Sequence, residues 1–287
     1  MTRGKGKSTL VLEQAILPIV EERAPITVRG VAYKLFADGL ISSMAKNETQ
    51  KVSRIMTAMR EADELDWTKI VDGSRPVNRA NVWKDPAEIV AAAVRGYRRD
   101  YWQDQPVLVE VWSEKSTVEG ILQPVLDEFG VTFRVIKGFG SYTRIREAAE
   151  ESTHGASGRD FVALYIGDHD PSGMYMSEVD LPRRLKRYGS RGLFERIAVL
   201  PDDTIGLPPF QAKRKDPRYS WYVRQYGTNC WELDAMNPSD LRDRVRQQIE
   251  TRLDLPLWEN AKRIERVEVE SMQDFNRTIQ SLMESAS

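Results

Sequence analysis

From Val107 onward the sequence alternates between short apolar runs rich in β-branched residues and amphipathic helical stretches. No other feature constrains the fold as strongly. Residues 107–112, 131–136, 161–166 and 197–200 read as strands, and residues 116–129, 142–152 and 172–188 read as the helices between them. Strands joined by helix-length crossovers pair in parallel, because a tight hairpin can only return a chain antiparallel. Residues 106–255 are therefore expected to form an α/β domain, a Rossmann-like parallel sheet with helices on its faces.

Residues 1–84 follow a different pattern. Residues 8–22 place Leu12, Ala15, Ile16 and Ile19 at helical spacing, with Pro18 expected to kink that helix or end it near Leu17. Thr27 is placed to cap a second helix over 28–37, and residues 49–65 carry a stripe of Val52, Ile55, Met56 and Met59. Lys51, Arg54 and Arg60 lie largely off that stripe and are read as DNA contacts. Three short helices followed by Trp67, Ile70, Val71 and a turn at Asp72-Gly73 predict an N-terminal winged-helix domain. A helical linker is expected over 85–105 and a C-terminal helix over 256–287, which either packs on its own chain or meets a second copy.

Composition narrows the chemistry. Among 287 residues there is one Cys, Cys230, so a disulfide framework and a Cys-based zinc cluster are excluded, and any metal would sit on carboxylates. The 42 Lys+Arg nearly balance the 43 Asp+Glu, but the first hundred residues are net basic and the rest net acidic. No apolar run suits a membrane span or a signal peptide, so a cytoplasmic protein is expected.

In a parallel sheet the residues just past the strands' carboxyl ends line the ligand crevice. Glu114 follows the first strand there, and Asp168 and Asp170 follow the third in Gly167-Asp-His-Asp-Pro-Ser-Gly173. Two Asp one residue apart can converge on a hard cation, which predicts Mg²⁺, or Mn²⁺, on Glu114, Asp168 and Asp170. Alternatively the two Asp cap the following helix, since Asp-Pro-Ser-Gly is also ordinary turn chemistry. His169, between them, should face the other way. On the second helix, at about 100° per residue, Tyr33 falls away from the face made by Val28, Val31, Ala32 and Leu35, beside Arg29.

Glu114 with Asp168-His-Asp-Pro-Ser-Gly173 resembles the Toprim domain, in the form found in the A subunit of topoisomerase VI and its meiotic double-strand-break relatives. Thr27-Val-Arg-Gly-Val-Ala-Tyr33 resembles that family's winged-helix segment, in which an Arg lies four residues before the nucleophilic Tyr. The family often has an aromatic pair where this chain has Ala32-Tyr33. Trp231-Glu-Leu-Asp-Ala-Met236, Pro238 and a helix over 240–252 resemble the segment after the Toprim core in bacterial and phage-borne members. The length is similar to that of compact stand-alone relatives carried on mobile genetic elements.

The resemblance implies a type IIB topoisomerase-like, DNA-cleaving transesterase. Tyr33 would join a 5′ phosphate of double-stranded DNA with Mg²⁺ assistance, and Arg29 and Glu114 would serve catalysis. It implies a nucleoid-associated homodimer, with any ATPase partner on a separate chain. A phenol with a pKa of about 10 is a poor nucleophile unless a cation lies near it, a role open to Arg29. Two other readings stand beside this one: a Toprim nuclease that uses water, and a DNA-binding module without catalysis. Lys115, Lys213 and Lys215 are further candidate phosphate contacts, the last two in Lys213-Arg-Lys215 near Arg218 and Tyr219. Gly4-Lys-Gly-Lys-Ser-Thr9 mimics a P-loop ending but lacks the first Gly and a preceding strand, so no nucleotide cofactor site is expected. Lys137-Gly-Phe-Gly-Ser141 is either a phosphate-facing turn or a plain one.

Overall fold

The computed structural model describes residues 6–71, 82–136, 142–154 and 159–285. Helix α1 (Lys7–Arg23) continues past Pro18 instead of ending near Leu17. Ile16, Ile19 and Val20, on either side of the proline, are buried in one apolar cluster. At roughly 1.5–3 kcal/mol each, their burial exceeds the ~3 kcal/mol cost of an interior proline. Strand β1 (Ile26–Thr27) leads into α2 (Val28–Ala37), which starts where the sequence placed it because the Thr27 hydroxyl accepts the Gly30 N–H at 2.9 Å.

Helix α3 (Lys46–Glu61) begins before the expected Thr49 and stops short of Leu65, where Asp63 adopts a left-handed backbone with φ 58°. The three helices share a core in which Leu12, Val31, Leu35, Val52 and Met56 meet. A 3₁₀ turn (Trp67–Lys69) then delivers β2 (Ile70–Val71), paired in parallel with β1. The expected Asp72-Gly73 wing turn lies outside the described residues, and the described pairing is parallel because helices α2 and α3 separate the two strands.

After α4 (Pro86–Gly96) comes the sheet: β3 (Val107–Ser113), α5 (Thr117–Phe129), β4 (Thr132–Val135), α6 (Tyr142–His154) and β5 (Asp160–Ile166). The chain continues through α7 (Pro171–Tyr175), a π-turn (Met176–Asp180), α8 (Leu181–Arg187) and β6 (Leu193–Ala198). The expected 172–188 helix is thus interrupted, and β6 begins ahead of the expected Ile197 because the polar Glu195 and Arg196 hide a strand that pairs with β5.

All four strands are parallel, in the order β4-β3-β5-β6. Alternate side chains feed two cores. Val111 and Leu164 join Leu122 of α5 on one face, while Trp112 and Tyr165 join Ala148 of α6 and Leu185 of α8 on the other. From β3 the chain steps outward to β4, then crosses back to β5 on β3's other side. The carboxyl ends of β3 and β5 therefore flank a crevice at the point where the strand order reverses.

The chain then forms β7 (Phe210–Gln211), α9 (Tyr219–Tyr226) and β8 (Asn229–Cys230), with β7 and β8 antiparallel. It finishes with α10 (Pro238–Glu250) and α11 (Leu255–Ser285). Helix α11 packs along α4, and its Glu268 binds Tyr97 and Arg99, each at 2.7 Å. None of the helices among the described residues is long and apolar enough to cross a membrane. The Lys137-Gly-Phe-Gly-Ser141 turn lies outside the described residues.

Gly120 marks where the N-terminal helices dock on α5, since a Cβ there would sit 2.7 Å from Val71 Cγ1. Gly120→Leu should overpack this contact and cost about 1–3 kcal/mol in chemical denaturation. An unchanged unfolding midpoint would mean that the contact does not hold the two parts together.

Candidate active site

The motif loop is built around one close approach. At Gly173 a Cβ would lie 2.3 Å from the Asp168 carbonyl oxygen, so only glycine lets the chain fold back there. Asp170 caps α7, its Oδ1 accepting the Gly173 N–H at 2.7 Å. Of the two readings of Asp170, capping is thus realised in the structure. His169 exchanges two backbone hydrogen bonds with Trp231, at 2.8 and 2.9 Å, which lays the segment Trp231-Glu-Leu-Asp234 across the loop.

That crossing strand brings charge with it. Asp168 Oδ1 accepts the Leu233 N–H at 2.7 Å and lies 2.8 Å from the Lys115 ammonium. Lys115 also reaches Asp234 at 2.7 Å and Glu232 at 3.7 Å. Burial pulls the Lys115 pKa down, but Asp168 and Asp234 more than offset this and hold the amine charged. Burial raises the Asp168 carboxyl above its ordinary range, with Lys115 opposing. Lys115, expected to meet DNA phosphate, is thus committed to carboxylates, because a largely buried ammonium needs counter-charge close by.

Helix α2 joins the same network. Arg29 Nε donates to Glu232 Oε2 at 2.6 Å, and its Nη2 donates to the other Glu232 oxygen. The Thr27 hydroxyl donates to Asp234 at 3.3 Å. Arg29, Glu114, Lys115, Ser116, Thr117, Asp168, Glu232 and Asp234 line one open cavity of about 420 Å³.

Tyr33 lies outside the core of its own helices and beside Arg29, whose guanidinium sits 5.6 Å from the ring centroid. It is nevertheless only 5% exposed. A second cavity, which includes Ile205, Leu207 and Asn237, places it against the C-terminal part of the chain, a neighbour the helical wheel does not contain. Burial first, and then the charge of Glu232, push its phenol well above the usual value while Arg29 pulls against them.

Some predicted residues lie elsewhere. Arg60, read as a DNA contact, is 5% exposed and stacks on Trp67 at 4.8 Å. Buried under that ring, its guanidinium is not displayed for phosphate. Arg54, Lys213 and Lys215 are exposed and Lys51 half-buried. The His169 ring packs among Tyr222, Tyr226 and Trp231, with Nδ1 2.8 Å from the Tyr222 hydroxyl, and burial followed by the Arg196 charge lowers it to about 4.

Sequence reading gave no role to Arg196, Glu232 or Asp234. Arg196 clamps the carbonyl oxygens of Gly167 and Asp168, at 2.9 and 2.5 Å, from the neighbouring strand, a pairing with no local signal. Glu232 and Asp234 stood inside a segment quoted for its resemblance, and only the backbone bridge to His169 gives them their place.

The donor set is chemically suited to a hard divalent cation, being all oxygen. The fully buried Tyr165 hydroxyl has no hydrogen-bond partner among the described residues, and it lies 2.8 Å from the position a Gly167 Cβ would take. Among the described residues, no group of three or more His, Cys, Asp or Glu side chains is arranged to hold a metal ion; Lys115 and Arg29 stand among these carboxylates. No protein-family model matches the chain, and none of the curated proteins compared with it does.

Gly173→Ala should push Asp168 out of place and break its bond to the Leu233 amide. Hydrogen exchange at that amide should speed by about tenfold or more while the sheet amides stay protected. Unchanged exchange at Leu233 would contradict the close-approach account.

Proposed function

We propose that this chain is a DNA-cleaving transesterase like the A subunit of topoisomerase VI, with Tyr33 on a winged-helix part and Glu114, Asp168 and Asp170 on a Toprim-like part. The observation that carries this reading is the meeting of Glu114 and Asp168, from the ends of β3 and β5, with Arg29 of α2 in one open cavity. Glu114, Asp168 and the second oxygen of Asp170 would hold Mg²⁺ or Mn²⁺. Bound there, the ion supplies charge neutralisation and electrophilic activation of a phosphodiester.

The chain's own residues do the rest. The Tyr33 oxygen attacks phosphorus and forms the O–P bond while the bond from phosphorus to the 3′ oxygen breaks. The 3′ oxygen leaves with the bonding pair and takes a proton from water, and the phenolic proton passes to solvent. Arg29 faces the charge that develops on the phosphate. Attack needs Tyr33 uncovered, so the Arg29–Glu232 pair parts as DNA enters. Linkage to the 5′ phosphate, a homodimer with Tyr and metal drawn from different protomers, a separate ATPase partner and a place at the nucleoid all follow from the resemblance.

The burial of Tyr33 favours a second reading, in which water attacks the phosphodiester and Tyr33 only borders the DNA. Denaturing the protein during cleavage separates the two. A covalent protein–DNA adduct is expected, whereas free ends without adduct would select the nuclease.

Tyr33→Phe keeps the ring's packing and removes the nucleophilic oxygen. It should abolish the adduct with DNA affinity within about twofold of wild type, and a fully active Phe variant would exclude Tyr33 as nucleophile. Asp168→Ala should lower cleavage by at least about a hundredfold, and cleavage that persists in EDTA would remove the metal from the reading. DNA affinity should fall with salt, and the logarithmic slope should shrink by about one in Arg54→Ala or Lys51→Ala. Salt slopes unchanged by both substitutions would place the DNA elsewhere.

A further inference from the structure

Helix α4 is mostly apolar, Pro86-Ala-Glu-Ile-Val-Ala-Ala-Ala-Val-Arg-Gly96, yet none of its residues is buried. It packs along α11, and just past its end Tyr97 and Arg99 bind Glu268. Met272, Asn276 and Ile279 follow Glu268 at helical spacing and are half-buried, so α4 runs back along α11, antiparallel to it. The two helices form an arm whose apolar surface is wider than one partner covers. Ile89 and Phe275 are 44% and 60% exposed, and Trp83, just before α4, is 43% exposed.

These side chains share one side of the arm. Met272, Asn276 and Ile279 mark the line on α11 that faces α4, and at about 100° per residue Phe275 lies roughly 70° from it. Ala87, Val90 and Val94 mark the facing line on α4, and Ile89 lies roughly 130° from that line in the same rotational sense. Because the helices are antiparallel, equal senses of rotation carry Phe275 and Ile89 to the same side. An arm of two helices about 25 Å long and about 20 Å wide presents a face of roughly 500 Å² in outline, which interdigitating side chains raise toward the ~800 Å² per partner of a stable dimer.

The charges beside that face suit a second copy of the same helix. Positions 263, 270, 277 and 284 recur every seven residues on the flank turned away from α4, and they are Arg, Glu, Arg and Glu. Two α11 helices packed antiparallel about a two-fold axis between residues 273 and 274 set position 270 against 277 and position 263 against 284, opposite charges on every pairing. Parallel packing would set each residue against its own kind. The antiparallel register also sets Phe275 against Met272. Arg277 pairs with Asp274 in its own helix, but both are exposed, and such a pair contributes too little to hold Arg277 there.

We propose that the side of the α4/α11 arm carrying Ile89 and Phe275 docks on the same side of a second copy of this chain, with the two α11 helices antiparallel, as an isologous four-helix interface. The resemblance implies a homodimer but names no surface for it; this face stands on α4 and α11 alone, whatever chemistry the cleft performs.

The test is sedimentation equilibrium of the full chain without DNA, in which wild type should associate reversibly to dimers. Phe275→Asp should weaken the dimer by about tenfold or more. Glu270→Arg or Arg277→Glu alone brings like charges together and should weaken it by about threefold or more, while the two substitutions combined should return it to near wild type. All three positions are exposed, so the variants should fold as wild type does. A wild-type chain that stays monomeric overturns the proposal, whether or not it then binds lipid vesicles or another protein. A dimer indifferent to Phe275→Asp lies on another surface and overturns it too. Charge reversals without effect, or without recovery when combined, overturn the antiparallel pairing of α11.

Discussion

Strands β3 and β5 run side by side in parallel, from Val107 against Asp160 to Ser113 against Ile166, and the candidate site depends on where that register ends. Because both strands point the same way, Glu114 and the Asp168 loop leave the sheet at one edge. Because β4 and β6 lie on opposite flanks, the ends of β3 and β5 lie where the strand order reverses, the usual place of a crevice in such a sheet. A shift of one residue in either strand would exchange the faces of Val111 and Trp112, or of Leu164 and Tyr165, and bury the wrong side chains in both cores.

Carboxylates gathered at such an edge repel one another, and the chain offsets this with its own cations. Lys115 sits between Asp168 and Asp234, and Arg29 grips Glu232. The pairing also joins distant parts of the chain. Thr27 and Arg29 of the N-terminal helices reach Asp234 and Glu232, so the charge balance of the cavity and the docking of α2 are one structural fact. Losing one member strands its partner, which in a half-buried setting costs more than the intact pair contributes. Tyr33 is buried beside this network, and burial together with the charge of Glu232 pushes its phenol above the usual value.

Sequence alone determined what local physics controls. The βα alternation gave the parallel sheet, the Thr27 cap gave the start of α2, and strand-end position singled out Glu114, Asp168 and Asp170. Only tertiary structure decided the rest, for reasons that can be named residue by residue. Pro18 does not end α1, because side chains from other helices bury the residues around it. Tyr33 leaves the core of its own bundle, as helical spacing requires, yet the wheel contains no information about Ile205, Leu207, Ala235 and Asn237, which line a cavity with it. Lys115 reads as a free basic side chain because sequence shows charge but not counter-charge, and its partners Asp168 and Asp234 stand at distances along the chain that no periodicity connects, while Arg60 is taken up by the ring of Trp67 beyond the end of its helix. Glu232, Asp234 and Arg196 acquire their places through pairing of backbone and strand, an interaction that depends on where main chains run and leaves no mark on residue type.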